Sequence, residues 1–313
     1  MSDHSGTLRE YGTTVPGIFA TPQPSQWNRG DVMPPRDIPT ARQVRLGAEL
    51  RRLREAAGLV SRDVAAWLGT SQAQISNIES GKHGVSEERL RKLAAHYACV
   101  DARLVDALAD LANEREKGWW VAYRSALAPK ALDLAELEHH ASYVRTFQVV
   151  HIPGVLQTEE HVRAALAFVE PEQPEDVREA RVAFRLRRGR ILESGTPYDV
   201  IIHEAALRMR VGGSKVTRAQ LTYLLQASER ESLTLRVIPF ATEGFAGAGL
   251  AMQYFGGVVS QLDTVQIDTP HGAEYIDPPA QLHRYRTKLE RVDSVALAED
   301  ASLGLIRRIA QEL

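Results

Sequence analysis

One cysteine, Cys99, occurs among 313 residues. It can build neither an intramolecular disulfide framework nor a metal site of several thiolates, so a reducing cytoplasm is the expected compartment. Runs of about 18 apolar residues, the length a spanning helix needs, are also missing. The opening "MSDHSGTLRE" has no basic stretch followed by an apolar one, so neither a membrane span nor a secretory leader is expected. Nor is there an excess of positive charge. The formal net charge is −2 at pH 7, which excludes a chain that is basic all over.

The charge that is present is segregated. Residues 42–92 hold ten Lys and Arg against six Asp and Glu, a local net of +4 that points to an anionic partner for that segment. The length favours two domains, and 44% hydrophobic with 25% charged residues is an ordinary globular composition. Residues 1–40 carry six of the fifteen prolines and no helical or strand period, so a flexible arm is expected there.

From 41 to about 117 the pattern is helical. Leu46, Leu50, Leu53 and Ala57 recur at helical spacing among arginines, and Gly58 stops that helix. Ser61 is placed to cap a second helix, "RDVAAWL", with Asp63 in its first turn. Gly69 ends it, Ser71 caps a third, and Gly81 ends the third as a left-handed residue. Ser86 caps a fourth, with Arg89 where a capping box would want an acid or Gln. A fifth runs over about 101–117. These make a compact all-α module at 41–117, and 118–313 forms a second domain.

The third helix lies within "GTSQAQISNIESGKHG", residues 69–84. At about 100° per residue, Ile75 and Ile78 fall together on one side, while Gln72, Ala73, Ser76 and Asn77 gather on the other. That outward face carries amides, a hydroxyl and a methyl, and no charge at its centre. Amides make paired contacts to adenine edges, and an alanine methyl contacts thymine. Helix, short glycine turn, helix is the spacing of a helix-turn-helix, whose second helix enters the major groove.

Over about 44–97, "LGAELRRLREAAGLVSRDVAAWLGTSQAQISNIESGK" resembles the Xre/Cro-type helix-turn-helix of many bacterial repressors. It departs at Val60–Ser61, where the family more often has Ser then Gln, so the capping hydroxyl is shifted by one. The resemblance implies double-stranded DNA as partner. Gln72, Ala73, Ser76 and Asn77 would read bases. Ser61, Arg62, Ser71, Lys82 and His83 would hold phosphates. Glu79, which would repel DNA if it faced it, is assigned instead to a pairing with Arg51 or Arg54. Trp67 is read as a packing residue. One head covers a half-site, so a homodimer is expected.

Beyond "KGWWVAYRSALAPKA" helical runs ("LAELEHHASYVR", "QTEEHVRAALAF", "EDVREARVAFRLRRGRIL", "RAQLTYLLQAS") alternate with strand-like ones ("FQVVHI", "YDVIIHE", "LTLRVIPF", "AMQYFGG", "TVQIDT", "AEYID"), and 279–312 is helical again. Late strands in succession predict antiparallel pairing and an α+β domain rather than a doubly wound sheet. The fold class expected is thus multi-domain, an all-α, lambda-repressor-like helix-turn-helix followed by α+β. Chemical motifs fail on inspection. "SGKHG" lacks the first glycine and the final hydroxyl of a phosphate loop, and "HEAAL" has Leu207 where a zinc-protease helix needs histidine. "EGFAGAG" lacks dinucleotide spacing. His139 and His140, about 100° apart on a helix, read as solvent-exposed rather than as metal ligands. His203, Glu204 and Arg208 read as a helix start. No catalytic residue, cofactor or metal is expected, and the chain is read as a non-enzyme.

"HIPGVLQTEEHVRAAL", "YDVIIHEAALRMRVGG", "RAQLTYLL" and "LRVIPF" followed by "AEYID" resemble the C-terminal domain of the actinobacterial WhiJ-like regulators, over roughly 119–313. Two positions depart, Gly189 where Gln usually follows the arginine and His203 where Asp often precedes Glu204. The resemblance implies a regulator whose second domain senses a small-molecule effector or a small companion protein encoded nearby. The alternative it implies is an antitoxin-like protein that neutralises that companion.

Overall fold

Thr40 and Gln43 start the first helix by capping each other: Thr40 Oγ1 accepts the Gln43 N–H at 3.3 Å, and Gln43 Oε1 accepts the Thr40 N–H at 2.9 Å. In the computed structural model, which describes residues 39–114, 118–247, 249, 251–269 and 272–313, this helix is α1, Ala41–Ala56. The arm expected at residues 1–40 lies almost wholly outside the described residues. Then follow α2 (Ser61–Leu68), α3 (Gln72–Glu79), α4 (Glu87–His96) and α5 (Ala102–Asn113). Their apolar stripes close on one cluster that includes Leu50, Val64, Ile75, Ile78, Leu90, Leu93 and Leu108. The fifth helix ends at Asn113, short of its expected end.

The second region is built on α6 (Pro129–His140), β1 (Tyr143–Gln148), α7 (Glu159–Val169), α8 (Glu175–Arg188), β2 (Tyr198–His203), α9 (Glu204–Arg208), α10 (Gly213–Ala227), β3 (Leu233–Ile238), β4 (Met252–Gly256), β5 (Thr264–Thr269), β6 (Gly272–Ile276), α11 (Pro279–Asp293) and α12 (Glu299–Glu312). The sheet order is β3-β2-β1-β4-β5-β6. β4, β5 and β6 pair antiparallel, as their succession predicts, and β4 joins β1 antiparallel. β1, β2 and β3 are instead parallel neighbours. Each of those links is a helical crossover, which is what a parallel pair requires. The sheet is therefore mixed, and the fold is all-α followed by α+β.

The first strand is displaced from its expected position. "FQVVHI" predicts a strand over 147–152, and the helix before it was expected to reach 145. The strand instead begins at Tyr143, where its edges find Tyr198 to Ile202 on one side and Met252 to Gly256 on the other. Both faces of the sheet are covered. Val144, Val200, Ile202, Leu235 and Val237 face α10 and α12, while Phe147, Ile201, Ile238, Tyr254 and Val265 face α11. Strands buried on both sides read as unbroken apolar runs, as "VIIH" does.

Two further expectations change. His139 is exposed as expected, but His140 is half-buried, edge-on to Trp120 at 6.2 Å. Burial, followed by the charges of Arg42 and His139, pushes its pKa down to about 4. His203 does start a helix: its Nδ1 accepts the Ala205 N–H at 3.2 Å.

The helical head is packed onto the sheet domain through α1. Arg45, 4% exposed, sits 3.2 Å from Glu49 and 3.9 Å from Asp277 beyond β6, and donates to the Gln261 carbonyl. Arg52 reaches Glu49 at 2.7 Å and Asp277 at 3.5 Å. Val259, from the turn before β5, is buried within the head's own hydrophobic cluster. One core thus takes a residue from the other domain.

Inside the second region Arg188 and Glu138 form a buried two-point pair, Nε to Oε2 at 2.8 Å and Nη2 to Oε1 at 2.6 Å, tying α8 to α6. Glu138→Gln leaves that guanidinium buried without its counter-charge. The expected cost is about 3–5 kcal/mol, read as a lower urea midpoint at an unchanged m-value.

Candidate nucleic-acid interface

Helix α3 is set by three local devices. Gly69 takes φ +68°, which turns the chain out of α2. Ser71 then accepts the Gln74 N–H at 3.2 Å and caps α3. Gly81 leaves it at φ +75°. Ile75 and Ile78 are buried, and the other side is outward: Gln72, Ala73 and Ser76 are exposed and Asn77 is half-buried. The four residues expected to read bases therefore share one surface in the folded chain.

Two glycines let α1 and the end of α3 touch backbone to backbone. A Cβ on Gly47 would lie 2.6 Å from the carbonyl oxygens of Ile78 and Glu79. One on Gly81 would lie 2.7 Å from the Gln43 carbonyl. Neither contact leaves room for a methyl group. On the same flank Arg54 grips Glu79 with both arms, at 2.6 and 2.9 Å, and donates to the Leu59 carbonyl at 2.7 Å. Of the two partners expected for Glu79, Arg54 is the one used. Arg51 pairs with Glu55 at 2.7 Å.

The expected phosphate-holding residues separate into two groups. Lys82 and His83 are exposed on the turn after α3, which is folded back by a bond from the His83 N–H to the Asn77 carbonyl at 3.1 Å. Arg62 is exposed, its nearest acid the adjacent Asp63 at 3.8 Å. Ser61 and Ser71 already use their hydroxyls. Ser71 spends its hydroxyl on its own cap, and Ser61 accepts from Gln72 Nε2 at 3.2 Å. Ser61 is also not a cap. The N-cap of α2 is Val60, extended at φ −95°, ψ 149°, with no side-chain cap bond, so Ser61 is the first helical residue. The shift seen in the sequence moves the hydroxyl from the helix end to a position beside Gln72 of α3.

The local charge excess is smaller at the surface than by count. Arg45, Arg51, Arg52, Arg54, Arg91 and Lys92 all lie within 4 Å of a carboxylate. Arg62, 81% exposed, has only its chain neighbour Asp63 at 3.8 Å, and Arg42 is half-buried near the charges of Glu136 and Glu114, so Lys82, Arg89 and the loosely held Arg62 are left for an outside anion. Arg89, at the start of α4, was not among the expected residues, and only the pairing pattern singles it out. Trp67 does pack, stacked on His96 with centroids 3.9 Å apart, yet stays 49% exposed.

A family model described as a helix-turn-helix domain matches residues 45–108, which contain α2, α3, α4 and most of α1. A second, described as a domain of unknown function (DUF5753), matches residues 131–308, more than half of the 313 residues. No curated protein and no solved structure matches the chain.

Val60 is 52% exposed, so little packing is lost by changing it. Val60→Ser supplies the missing cap and should stabilise the protein by about 1 kcal/mol, a rise in thermal midpoint of about 2–4 °C.

Proposed function

The chain belongs to the family defined by the DUF5753 domain, and from that premise we propose that it is a sequence-specific transcriptional regulator of the Xre type, with a second domain of the WhiJ-like kind. Helix α3 lies in the major groove, where Gln72, Ala73, Ser76 and Asn77 meet base edges. Arg62, Lys82, His83 and Arg89 meet phosphates. The observation that carries this reading is the outward face of α3, uncharged and exposed while Ile75 and Ile78 hold the opposite face in the core. The bond from Gln72 to Ser61 supports it further, because it holds an amide in place beside the groove-facing surface.

The protein acts as a cytoplasmic homodimer whose second domain biases the placement of two heads. Coupling of that kind needs only a ligand that prefers one arrangement over the other. The contacts of Arg45, Arg52 and Val259 with the sheet domain support it. Among the described residues no helix is long and apolar enough to cross a membrane. A non-enzymatic role is supported by His203, Glu204 and Arg208. His203 caps α9, while Glu204 accepts the Phe240 N–H at 2.8 Å and pairs with Arg208 at 2.6 Å. A second reading, capture of a small companion protein as an antitoxin would, draws on Phe168 and Val169, adjacent at the end of α7 and 82% and 71% exposed.

Gln72→Ala should cost about 1–3 kcal/mol at one operator position and relax preference there. Lys82→Ala should weaken binding to all sequences alike and lower the salt slope by about one. Salt-titrated binding assays read both, and wild-type behaviour of both variants would exclude this face as the reader. Light scattering should show a dimer on DNA spanning half-sites about 34 Å apart or a multiple. A monomer both free and bound refutes dimerisation.

A further inference from the structure

The arginines of α8 differ in what compensates them, and Arg187 lies over the Trp119 ring, 5.2 Å from its centroid. Along α8, Arg178, Arg181 and Arg188 each pair with a carboxylate, Glu175, Glu170 and Glu138 respectively. Arg185 lies between them on the same helix, and no carboxylate lies within 4 Å of it among the described residues. Its one bond is to a neutral amide, Nη1 to Gln157 Oε1 at 3.2 Å. That amide is itself held by the chain, since Gln157 Nε2 donates to the Ile152 carbonyl at 2.7 Å. The guanidinium is half-buried. Burial first, then repulsion from Arg188 and Arg181, brings its pKa down to about 10, with Asp268 the acid that partly offsets them. Asp268 does not reach it, and accepts instead from Gln266 Nε2 at 2.7 Å.

A second polar group without a partner lies on α7, the helix packed against α8. His161 on α7 is 4% exposed, and its Nδ1 has no hydrogen-bond partner. Burial followed by the charges of Arg185 and His151 keeps the ring neutral, its pKa down to about 4. Buried polar atoms in folded proteins are almost always satisfied, so an orphan beside an uncompensated cation calls for a missing partner.

The position in the fold agrees. Loop 149–158 leaves the carboxyl end of β1, and Asp268 lies at the carboxyl end of β5, which runs parallel to β1 through two antiparallel pairings. Strand order reverses at β1, which leads to β2 on one side and pairs with β4 on the other. Open α/β sheets bind ligands outside the carboxyl ends of their parallel strands, and loop 149–158 leaves from that end of β1, which is parallel to β2. The loop is pressed against α8: a Cβ on Gly154 would lie 3.4 Å from Arg188 Nη1, and one on Gly189 3.0 Å from the Val155 carbonyl.

We propose that Arg185, His161 and Gln157 form the binding site of a small anionic effector, whose carboxylate or phosphate group takes the place of the missing counter-ion on Arg185. Guanidinium fits either group by paired N–H donors, the Gln157 amide fixes the fork, and His161 supplies a neutral hydrogen-bonding partner. The inference rests on the sensing role proposed above and names the site and the ligand chemistry for it.

The test uses the full chain with sodium phosphate and, separately, sodium succinate, each against sodium chloride at matched ionic strength. A saturable rise in melting temperature of about 3–5 °C at roughly ten times Kd is expected for at least one of them. It should be accompanied by a shift of the His161 ring resonances in NMR spectra. Response to phosphate alone assigns a phosphate ester, and response to succinate alone a carboxylate. Arg185→Gln should abolish both signals. Gln157→Glu, which offers Arg185 a carboxylate from within, should abolish them as well, and it decides the matter if Arg185→Gln does not fold. A rise equalled by sodium chloride, a response kept in a folded variant, or a His161 spectrum that does not move overturns the assignment. Operator binding without added anion should be unchanged in Arg185→Gln. Failure of the wild-type chain to bind DNA would refute the regulator reading instead, while the anion titration still judges the site.

Discussion

The Arg54–Glu79 pair fixes the one relationship on which recognition depends, the angle of α3 against α1. Both side chains are about nine-tenths buried, and the carboxylate is gripped at two points. A two-point bond restricts rotation as well as distance, which a single contact does not. It acts together with the close approach at Gly47 and Gly81, where α1 and the end of α3 meet without side chains between them. The isoleucines behind α3 supply burial but little direction, because apolar contact is non-directional. Direction comes from the ion pair and the glycines. Glu79 could not have faced the groove without repelling phosphate, so its burial also keeps the reading face free of negative charge.

The head so defined is not a bead on a string. Val259 completes its core from the sheet domain, and Asp277 sits between Arg45 and Arg52 of α1. Arg45 is deeply buried there, and its burial works against its charge more strongly than the neighbouring acids support it. A desolvated cation held by a mixture of acid and carbonyl contacts tolerates little displacement. Movement of the turn at 259–261 or of the end of β6 therefore has to be followed by α1, and α1 carries α3 with it. A chain of packed and paired groups thus joins the sheet to α3, and it is the path available to the coupling proposed above.

The two regions differed in how far they could be read from the sequence. The helical head was legible because its signals are local: the caps at Ser71 and Ser86, the left-handed glycines 58, 69 and 81, and two isoleucines at helical spacing. The misplaced cap at Val60 shows the limit, since a hydroxyl one residue late looks like a cap in sequence and becomes a partner of Gln72 in space. Gly47 gave no warning, because its reason lies on another helix. In the sheet, strand-like runs revealed β2 through β6 but not partners, so the parallel set β1-β2-β3 was out of reach. The expected start of β1 failed because Tyr143 to Thr146 is polar enough to pass for helix, and only two neighbouring strands make it extended. The site at Arg185 was illegible for a similar reason. The five arginines of α8 look alike in sequence, and what separates Arg185 is that among the described residues neither a carboxylate, as for Arg178, Arg181 and Arg188, nor an aromatic ring, as for Arg187, lies against it.

The same pairing logic changes the meaning of the basic excess in the head. Counted along the chain it suggests a broad cationic surface, but most of those arginines are used internally to hold α1 to α3 and to the sheet domain. Counter-ion release scales with the phosphates actually neutralised. The few cations left near α3 therefore provide orientation more than affinity. A single head with so few phosphate contacts and a short, uncharged reading face binds weakly by itself. Two heads held at a fixed spacing multiply their effect, because the second contact is made at high effective concentration. In the homodimer proposed above, affinity for an operator depends on the distance between heads, and the sheet domain is the part of the chain proposed to set it. The economy of charge on the head is thus a physical reason for the control by the sheet domain that is proposed above.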